Sequence, residues 1–413
     1  MSARFAHPGD FTKLWVGQTI SAFGDKVSRI ALPTVALLSL SGTAWDVGVL
    51  AALRFIPFVL LGSVAGVWVD RASRRTTMIV ADIGRLLAMA SVPVAFLFDS
   101  LTMAQLYVVA GVVGVLTVFF EVAAQSYLPV LAGEGRIVAG NERLQTSRAV
   151  SEVGGAAAAG GLMQFLGNAL AILADALSFL ASLVSLLLVE HREPPVDRTA
   201  ERPSPLREAR AGLAVLMSDL RLRGLVLAIA VTNLGVAMAG TLVLVFAYNH
   251  GGLSPGVVGV AFAVGTVGSI LGAVTAGAIA RKLTLGRTLV AAVLVTGLAF
   301  LLLPAGGRDL ALVMLIVSQF LVGFADSVLN IHVLSLVQQI TPPEVLGRVN
   351  GTALSVVWGT GTAGGVTGGL VGTLFGTLPG LVVAAAIICS GALFLHPGPL
   401  RTIRDDADEL ADA

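Results

Sequence analysis

The sequence predicts an all-α polytopic membrane protein whose twelve transmembrane helices form two six-helix pseudo-repeats. Of its 413 residues, 56% are hydrophobic and only 12% are charged, whereas a soluble domain carries about 25% charged residues. Its mean hydropathy is +0.89. The apolar residues fall in stretches of roughly 20 or more, the length that crosses a hydrocarbon core about 30 Å thick. A single polar segment divides these stretches into two sets of six.

In chain order, the first six predicted spans are 14–40, 46–69, 76–98, 102–127, 144–165 and 168–189. The last six are 223–248, 255–280, 287–304, 309–338, 350–375 and 378–396. The intervening segment is rich in Arg, Glu and Pro, which is typical of a solvated linker, and its stretch 206–217 can form an amphipathic helix on the membrane surface. The predicted organisation is an N-terminal half (1–189), a cytoplasmic linker (190–222), a C-terminal half (223–396) and a cytoplasmic tail (397–413).

The Lys and Arg residues predict the orientation, because cytoplasmic loops are enriched in them. With the N-terminus inside, the inner loops hold the basic clusters at 71–75 and 281–287, whereas the outer loops hold Arg308. We therefore expect both termini to be cytoplasmic.

Several classes of chemistry are disfavoured. Cys389 is the single cysteine, which excludes an intrachain disulfide and a cysteine-based metal cluster. The five histidines are scattered, and no Gly-x4-Gly-Lys-Ser/Thr pattern for ATP occurs. The net charge of +1 gives no attraction to nucleic acid. We expect no metal, no cofactor and no enzymatic activity.

The two halves share sequence features. Val47-Gly48-Val49 in the second span recurs as Val258-Gly259-Val260 in the eighth. Internal repetition on either side of a linker is typical of transporters built from two halves around a central site.

A motif follows the second span: Gly66-Val-Trp-Val-Asp70-Arg71-Ala-Ser73-Arg74-Arg75. Gly66 can permit close helix approach, Asp70 at the membrane edge can face a positive helix N-terminus, and the arginines hold the loop inside. The motif resembles the Gly-x-x-x-Asp-Arg-x-Gly-Arg-Arg signature of the major facilitator superfamily, with Ser73 in place of the usual glycine. The resemblance implies the major facilitator fold and secondary active transport by alternating access. It also implies a cytoplasmic gate motif that includes Gly66, Asp70, Arg71, Arg74 and Arg75. Asp82 and Arg85 lie near the cytoplasmic end of the third span, next to this loop, and we expect them to belong to the same gate.

A second resemblance is to one branch of that superfamily. Leu14-Trp15-Val-Gly17-Gln18-Thr-Ile-Ser21-Ala-Phe-Gly24-Asp25 and Arg54-Phe-Ile-Pro57 are similar to bacterial macrolide-efflux and siderophore-exporter proteins. This similarity implies a proton-coupled exporter (antiporter) of a drug, macrolide, siderophore or other natural product in a bacterial inner membrane. We expect a monomer, although the residues themselves leave the oligomeric state open. The fifth span lacks the proline of the family's antiporter signature. An importer or uncoupled facilitator, and a non-transporting sensor or scaffold, remain alternatives.

Ionisable residues inside the predicted spans are the candidate site. Each costs roughly 2.5–3.5 kcal/mol at a helix centre, so each needs a partner, a cavity or a function. The predicted proton-coupling and substrate-cavity residues are Asp25, Arg29, Arg54, Glu121, Glu152 and Asp326.

The spacing of these residues suggests particular roles. Asp25 and Arg29 are four residues apart on one helix face, so Asp25 is either a proton acceptor or half of a permanent ion pair. Arg54 can pair with Asp25 or hold an anionic substrate. Lys26 is turned away from Asp25 and is expected to make a different contact. Asp175 in the sixth span is expected to be structural.

Overall fold

The computed structural model describes residues 7–69, 71–133, 136–191, 214, 217–341 and 343–395. Asp70 of the loop motif, most of the predicted linker (192–213 and 215–216) and the predicted C-terminal tail lie outside the described residues.

The described chain consists of helices joined by short connections. In the first half they are α1 (Pro8–Ser39), α2 (Ala44–Val69), α3 (Arg74–Leu97), α4 (Met103–Ala132), α5 (Ile137–Leu166) and α6 (Asn168–Leu187). In the second half they are α7 (Leu220–Val245, extended by a π-helical turn at Phe246–His250), α8 (Pro255–Leu283), α9 (Leu285–Ala305), α10 (Ala311–Ile340), α11 (Pro343–Phe375), α12 (Thr377–Ser390) and the short α13 (Ala392–Leu395). The twelve long helices agree with the twelve predicted spans.

Helix ends differ from the predicted spans where the first turns are polar. The predicted fifth span starts at 144, but α5 already begins at Ile137 and includes Asn141, Glu142 and Arg143. An apolar stretch marks only the part of a helix that lies in hydrocarbon, and a helix can continue beyond it into water.

Within the described residues, nine helices are long and apolar enough to cross a membrane. Helix α1 is outside that set, and it carries Asp10, Lys13, Asp25, Lys26 and Arg29.

The first of two compact units comprises Met1–Gly42, Leu53–Glu201 and Ser254–Val260. In this unit α1 packs on α5 and α6, and α3 packs on α4 and α6. A Cβ atom at Gly24 would collide with Ser178 and Asp175 of α6, so glycine is required for the observed closeness of α1 and α6. Phe11, Met78 and Leu186 belong to the apolar core near the start of α1.

The second unit comprises Thr43–Ala52, Arg202–Leu253 and Ala261–Ala413. Here α7 packs on α11 and α12, and α9 packs on α10 and α12. A Cβ atom at Gly268 of α8 would collide with the carbonyl oxygen of Phe320 in α10. Small residues at such crossings let helix backbones pack closely where lipid provides no hydrophobic driving force.

Candidate functional site

Seven charged residues from four helices of the first unit form a group that we call the charge cluster. They are Asp25, Lys26 and Arg29 on α1, Arg54 on α2, Glu121 on α4, and Arg148 and Glu152 on α5. Every member lies in an ion pair with another member.

Asp25 pairs with Arg54 from the neighbouring helix. The Arg54 Nη2 atom lies 3.4 Å from the Asp25 Oδ1 atom and 3.4 Å from the Asp25 carbonyl oxygen. Arg54 is one of the two partners that the sequence offers for Asp25. The other, Arg29 on the same helix, forms no salt bridge with Asp25 in the described chain. At 3.4 Å the contact is longer than the usual N–H···O hydrogen bond.

Glu152 of α5 forms ion pairs with two basic residues of α1. Its carboxylate is in direct contact with the ammonium group of Lys26, and its Oε1 atom lies 3.9 Å from the Arg29 Nη1 atom. Lys26 and Arg29 are three residues apart, so they project from α1 on the same side towards α5. Half of the Glu152 side chain is exposed.

Glu121 of α4 pairs with Arg148 of α5, whose Nη2 atom lies 2.7 Å from the Glu121 Oε2 atom. Arg148 and Lys26 are absent from the predicted site. The sequence does contain a signal for Arg148, since it precedes Glu152 by four residues and therefore lies on the same face of α5.

Asp326 lies in the second unit, on α10. Its side chain is exposed, and its backbone carbonyl accepts a hydrogen bond of 2.9 Å from the Asn330 amide. It forms no ion pair with any residue of the described chain.

The loop motif after α2 is described except for Asp70. The Ser73 side chain accepts a hydrogen bond of 3.3 Å from the Thr76 N–H and so caps α3. The Arg75 Nε atom donates to the Leu186 carbonyl at 2.9 Å and stabilises the end of α6. Arg71 is exposed. Apart from atoms of its own helix, no atom of the described chain lies within 4 Å of where a Gly66 Cβ would stand.

Asp82 and Arg85 of α3 form a salt bridge inside the first unit. Their exposed side-chain fractions are 0% and 1%. The Arg85 guanidinium lies 4.1 Å from the ring centre of Phe120 in α4 and 4.4 Å from that of Phe179 in α6. These two residues of the predicted gate motif are thus enclosed by three helices, and cation–π contacts supplement the ion pair.

A polar junction joins the start of α1 to the residues after α6. Asp10 accepts hydrogen bonds from the backbone N–H groups of Glu190 (3.2 Å) and His191 (2.9 Å), and Lys13 Nζ lies 3.0 Å from its carboxylate. Burial favours the neutral acid, but the hydrogen bonds from Lys13 and the backbone outweigh it and lower the pKa of Asp10. The same hydrogen bond raises the pKa of Lys13.

Comparison with known proteins identifies the family. The family described as the Major Facilitator Superfamily matches residues 14–366. The chain belongs to this superfamily. It is therefore a multi-pass membrane transporter, and not an enzyme.

Relatives within the superfamily support the same assignment. A 125-residue segment, 30% of the chain, is 34% identical to YfiS, an uncharacterized MFS-type transporter of Bacillus subtilis (strain 168). The match spans only 28% of the length of YfiS.

Solved structures of superfamily transporters have the same fold. The nucleoside transporter NupG has a TM-score of 0.76 at 12% identity, covering 96% of this chain and 100% of NupG. A bacterial homologue of the iron transporter ferroportin has a TM-score of 0.72 at 16% identity, and the match covers 93% of this chain and 98% of that homologue. A bacterial homologue of the lysosomal transporter Spinster has a TM-score of 0.67 at 14% identity, covering 94% and 95%. At these identities the similarity establishes the fold alone.

The charge cluster satisfies seven charged side chains of the first unit by ion pairing. Charges inside a membrane bundle are costly unless they pair or line a hydrated space. A paired charge is stabilised only while the opposite charge is present. A proton or a charged ligand that binds one member of a pair would therefore remove the stabilisation of its partner's charged form.

Proposed function

We propose that this transporter is a proton-coupled exporter that exchanges a small organic molecule for protons by alternating access. The observation that carries the proposal is the Asp25–Arg54 ion pair between two membrane helices, a contact of 3.4 Å between side chains that are about one-fifth exposed. A carboxylate in this setting can exchange its arginine partner for a proton or a substrate group. Candidate cargoes are drugs, macrolides, siderophores and other natural products.

The remaining predicted residues have supporting roles in this proposal. Glu121, Glu152 and Arg29 would bind polar groups of the cargo, and Asp326 stays a predicted cavity residue. The loop motif with Asp70 would act as the cytoplasmic gate. The basic clusters of the loops support an inner-membrane protein with both termini in the cytoplasm, and we expect a monomer.

The test is efflux from bacteria that lack their own pumps and express this chain. Cells preloaded with dyes, macrolides or siderophores are followed with and without a protonophore. We expect efflux that the protonophore abolishes and that Asp25→Asn slows at least about tenfold, since a coupling step is lost. Asp99→Asn is the matched control, because Asp99 lies in the exposed connection between α3 and α4.

Two results would contradict the proposal. Protonophore-resistant efflux would indicate an uncoupled facilitator. Accumulation of the compounds instead of loss would indicate an importer.

A further inference from the structure

One buried acid of the first unit lies outside the charge cluster. Asp175 of α6 is 1% exposed, and it forms no ion pair with any residue of the described chain. Its Oδ1 atom accepts a hydrogen bond of 3.1 Å from the Ser178 hydroxyl. The buried Ser28 hydroxyl of α1 is a second polar neighbour. An ionised carboxylate with such neutral partners is costly at this depth, whereas the protonated acid is not.

The Asp175 carboxyl group packs against α1 at Gly24, next to the Asp25–Arg54 pair. A Cβ atom at Gly24, the residue before Asp25, would stand 2.6 Å from the Asp175 Oδ1 atom. Asp25 of α1 and Arg54 of α2 are charged groups within electrostatic reach of the Asp175 carboxyl. Arg54 is therefore near two carboxyl groups while it contacts one of them at 3.4 Å.

The other helices that pack on α6 provide charges that are already paired. Helix α3 contributes Asp82 and Arg85, which are in contact with each other. Helix α5 contributes Glu152, whose carboxylate is in contact with Lys26 of α1. Helix α1 contributes Lys26 and Arg29, which both pair with Glu152. Arg54, which pairs with the residue next to Gly24, is thus the cation best placed to respond to ionisation of Asp175.

A row of hydroxyl groups continues from Asp175 along α6. Ser178, Ser182 and Ser185 follow at intervals of three or four residues and therefore share one face of the helix. Ser178 and Ser182 are buried, and Ser185 lies where a Cβ atom at Gly17 of α1 would stand. The Ser178 and Ser185 hydroxyls donate to the backbone carbonyls of Asp175 and Ser182, each at 2.8 Å, so the row surrounds Asp175 with polar but uncharged groups.

We propose that Asp175 is the proton-binding residue and that Arg54 is the group its protonation moves. When Asp175 is ionised, Arg54 interacts with both Asp175 and Asp25, and Asp25 can therefore bind a cationic group of the cargo. When Asp175 takes up a proton, Arg54 returns fully to Asp25 and displaces that cation. One proton thus exchanges for one positive charge, so the cargo class is an organic cation. This inference rests on the proposed proton-driven export.

The test measures binding of tetraphenylphosphonium, whose charge does not depend on pH, to the purified full chain in detergent. Proton and cation binding are reciprocally linked. We therefore expect the wild-type Kd for tetraphenylphosphonium to fall as the pH rises, by about tenfold per pH unit over part of the range from about pH 5 to pH 9. Asp175→Asn imitates the protonated acid. We expect this variant to bind tetraphenylphosphonium with the same weak affinity at every pH, equal to that of the wild type at the lowest pH. Equal affinities at the lowest pH would also show that the variant is folded.

A second readout does not depend on binding. Infrared difference spectra between acid and alkaline pH should contain the C=O band of a protonated carboxyl group, and Asp175→Asn should remove it. Asp309→Asn, at an exposed connection before α10, should keep both the band and the pH dependence of binding.

Each failure has a distinct meaning. A pH-dependent Kd in Asp175→Asn, or no tetraphenylphosphonium binding by the wild type, would overturn the inference. If wild-type efflux depends on the proton gradient and Asp175→Asn exports equally well, this inference alone fails. If wild-type efflux does not depend on that gradient, the proposed function itself fails.

Discussion

At the scale of single residues, Asp82 and Arg85 test whether a charge in this bundle serves packing or gating. Both side chains are buried, and two aromatic rings flank the guanidinium. We expect Asp82→Ala to lower the free energy of unfolding by about 3 kcal/mol, because Arg85 would stay buried without its counter-ion. Thermal unfolding of the purified protein in detergent, followed by circular dichroism, measures this loss.

The double variant Asp82→Leu with Arg85→Met separates the two roles. Replacing a buried ion pair by apolar side chains of similar volume is often neutral, so the double variant should regain most of the lost stability. If it also transports at the wild-type rate, the pair has a packing role. A stable double variant without transport would instead support the gate role that the loop motif suggests. Wild-type stability of Asp82→Ala would contradict the packing argument.

At the scale of helices, the junction between the start of α1 and the residues after α6 depends on Asp10. Its pKa is lower in the folded protein than in the unfolded chain. The ionised carboxylate therefore contributes stability above the unfolded value of about 4, and this contribution is lost as the pH falls through the folded value. We expect Asp10→Asn to cost about 1 kcal/mol at neutral pH and almost nothing once the pH is below the folded-state pKa of Asp10.

The pH dependence of thermal unfolding checks this prediction. Glu190→Gln is the matched control in the same junction, since Glu190 contacts Lys13 at 3.1 Å but is 87% exposed. An exposed ion pair of this kind contributes little. A difference between wild type and Asp10→Asn that persists undiminished at acid pH would show that the charge of Asp10 is not what joins the two helices.

The helices themselves could be predicted from the sequence, whereas most of the pairings between them could not. Apolar stretches of membrane length locate α1 to α12, because no other open-ended structure satisfies its backbone in lipid. The sequence leaves Asp25 with two possible partners, Arg29 on the same helix and Arg54 on the next, and only the structure shows that the pairing is with Arg54. Such pairings depend on which helix faces pack together. The Glu121–Arg148 contact between α4 and α5 was missed for the same reason.

At the scale of the whole molecule, orientation decides what the proposed coupling achieves. In a bacterium that keeps its cytoplasm less acidic than its surroundings, protons that enter through the transporter drive export only if cargo moves the opposite way. The basic loops predict that the connections at Asp99 and Asp309 face outward and that Glu190 faces the cytoplasm.

Single-cysteine labelling in intact cells measures this orientation. With Cys389 replaced by serine, a membrane-impermeant thiol reagent should label Asp99→Cys and Asp309→Cys but not Glu190→Cys until the cells are opened. All three residues are exposed in the structure, so lack of labelling would reflect the membrane and not burial. The reverse pattern would place the polar junction of Asp10 and the loop motif outside the cell. The loop motif could not then be a cytoplasmic gate.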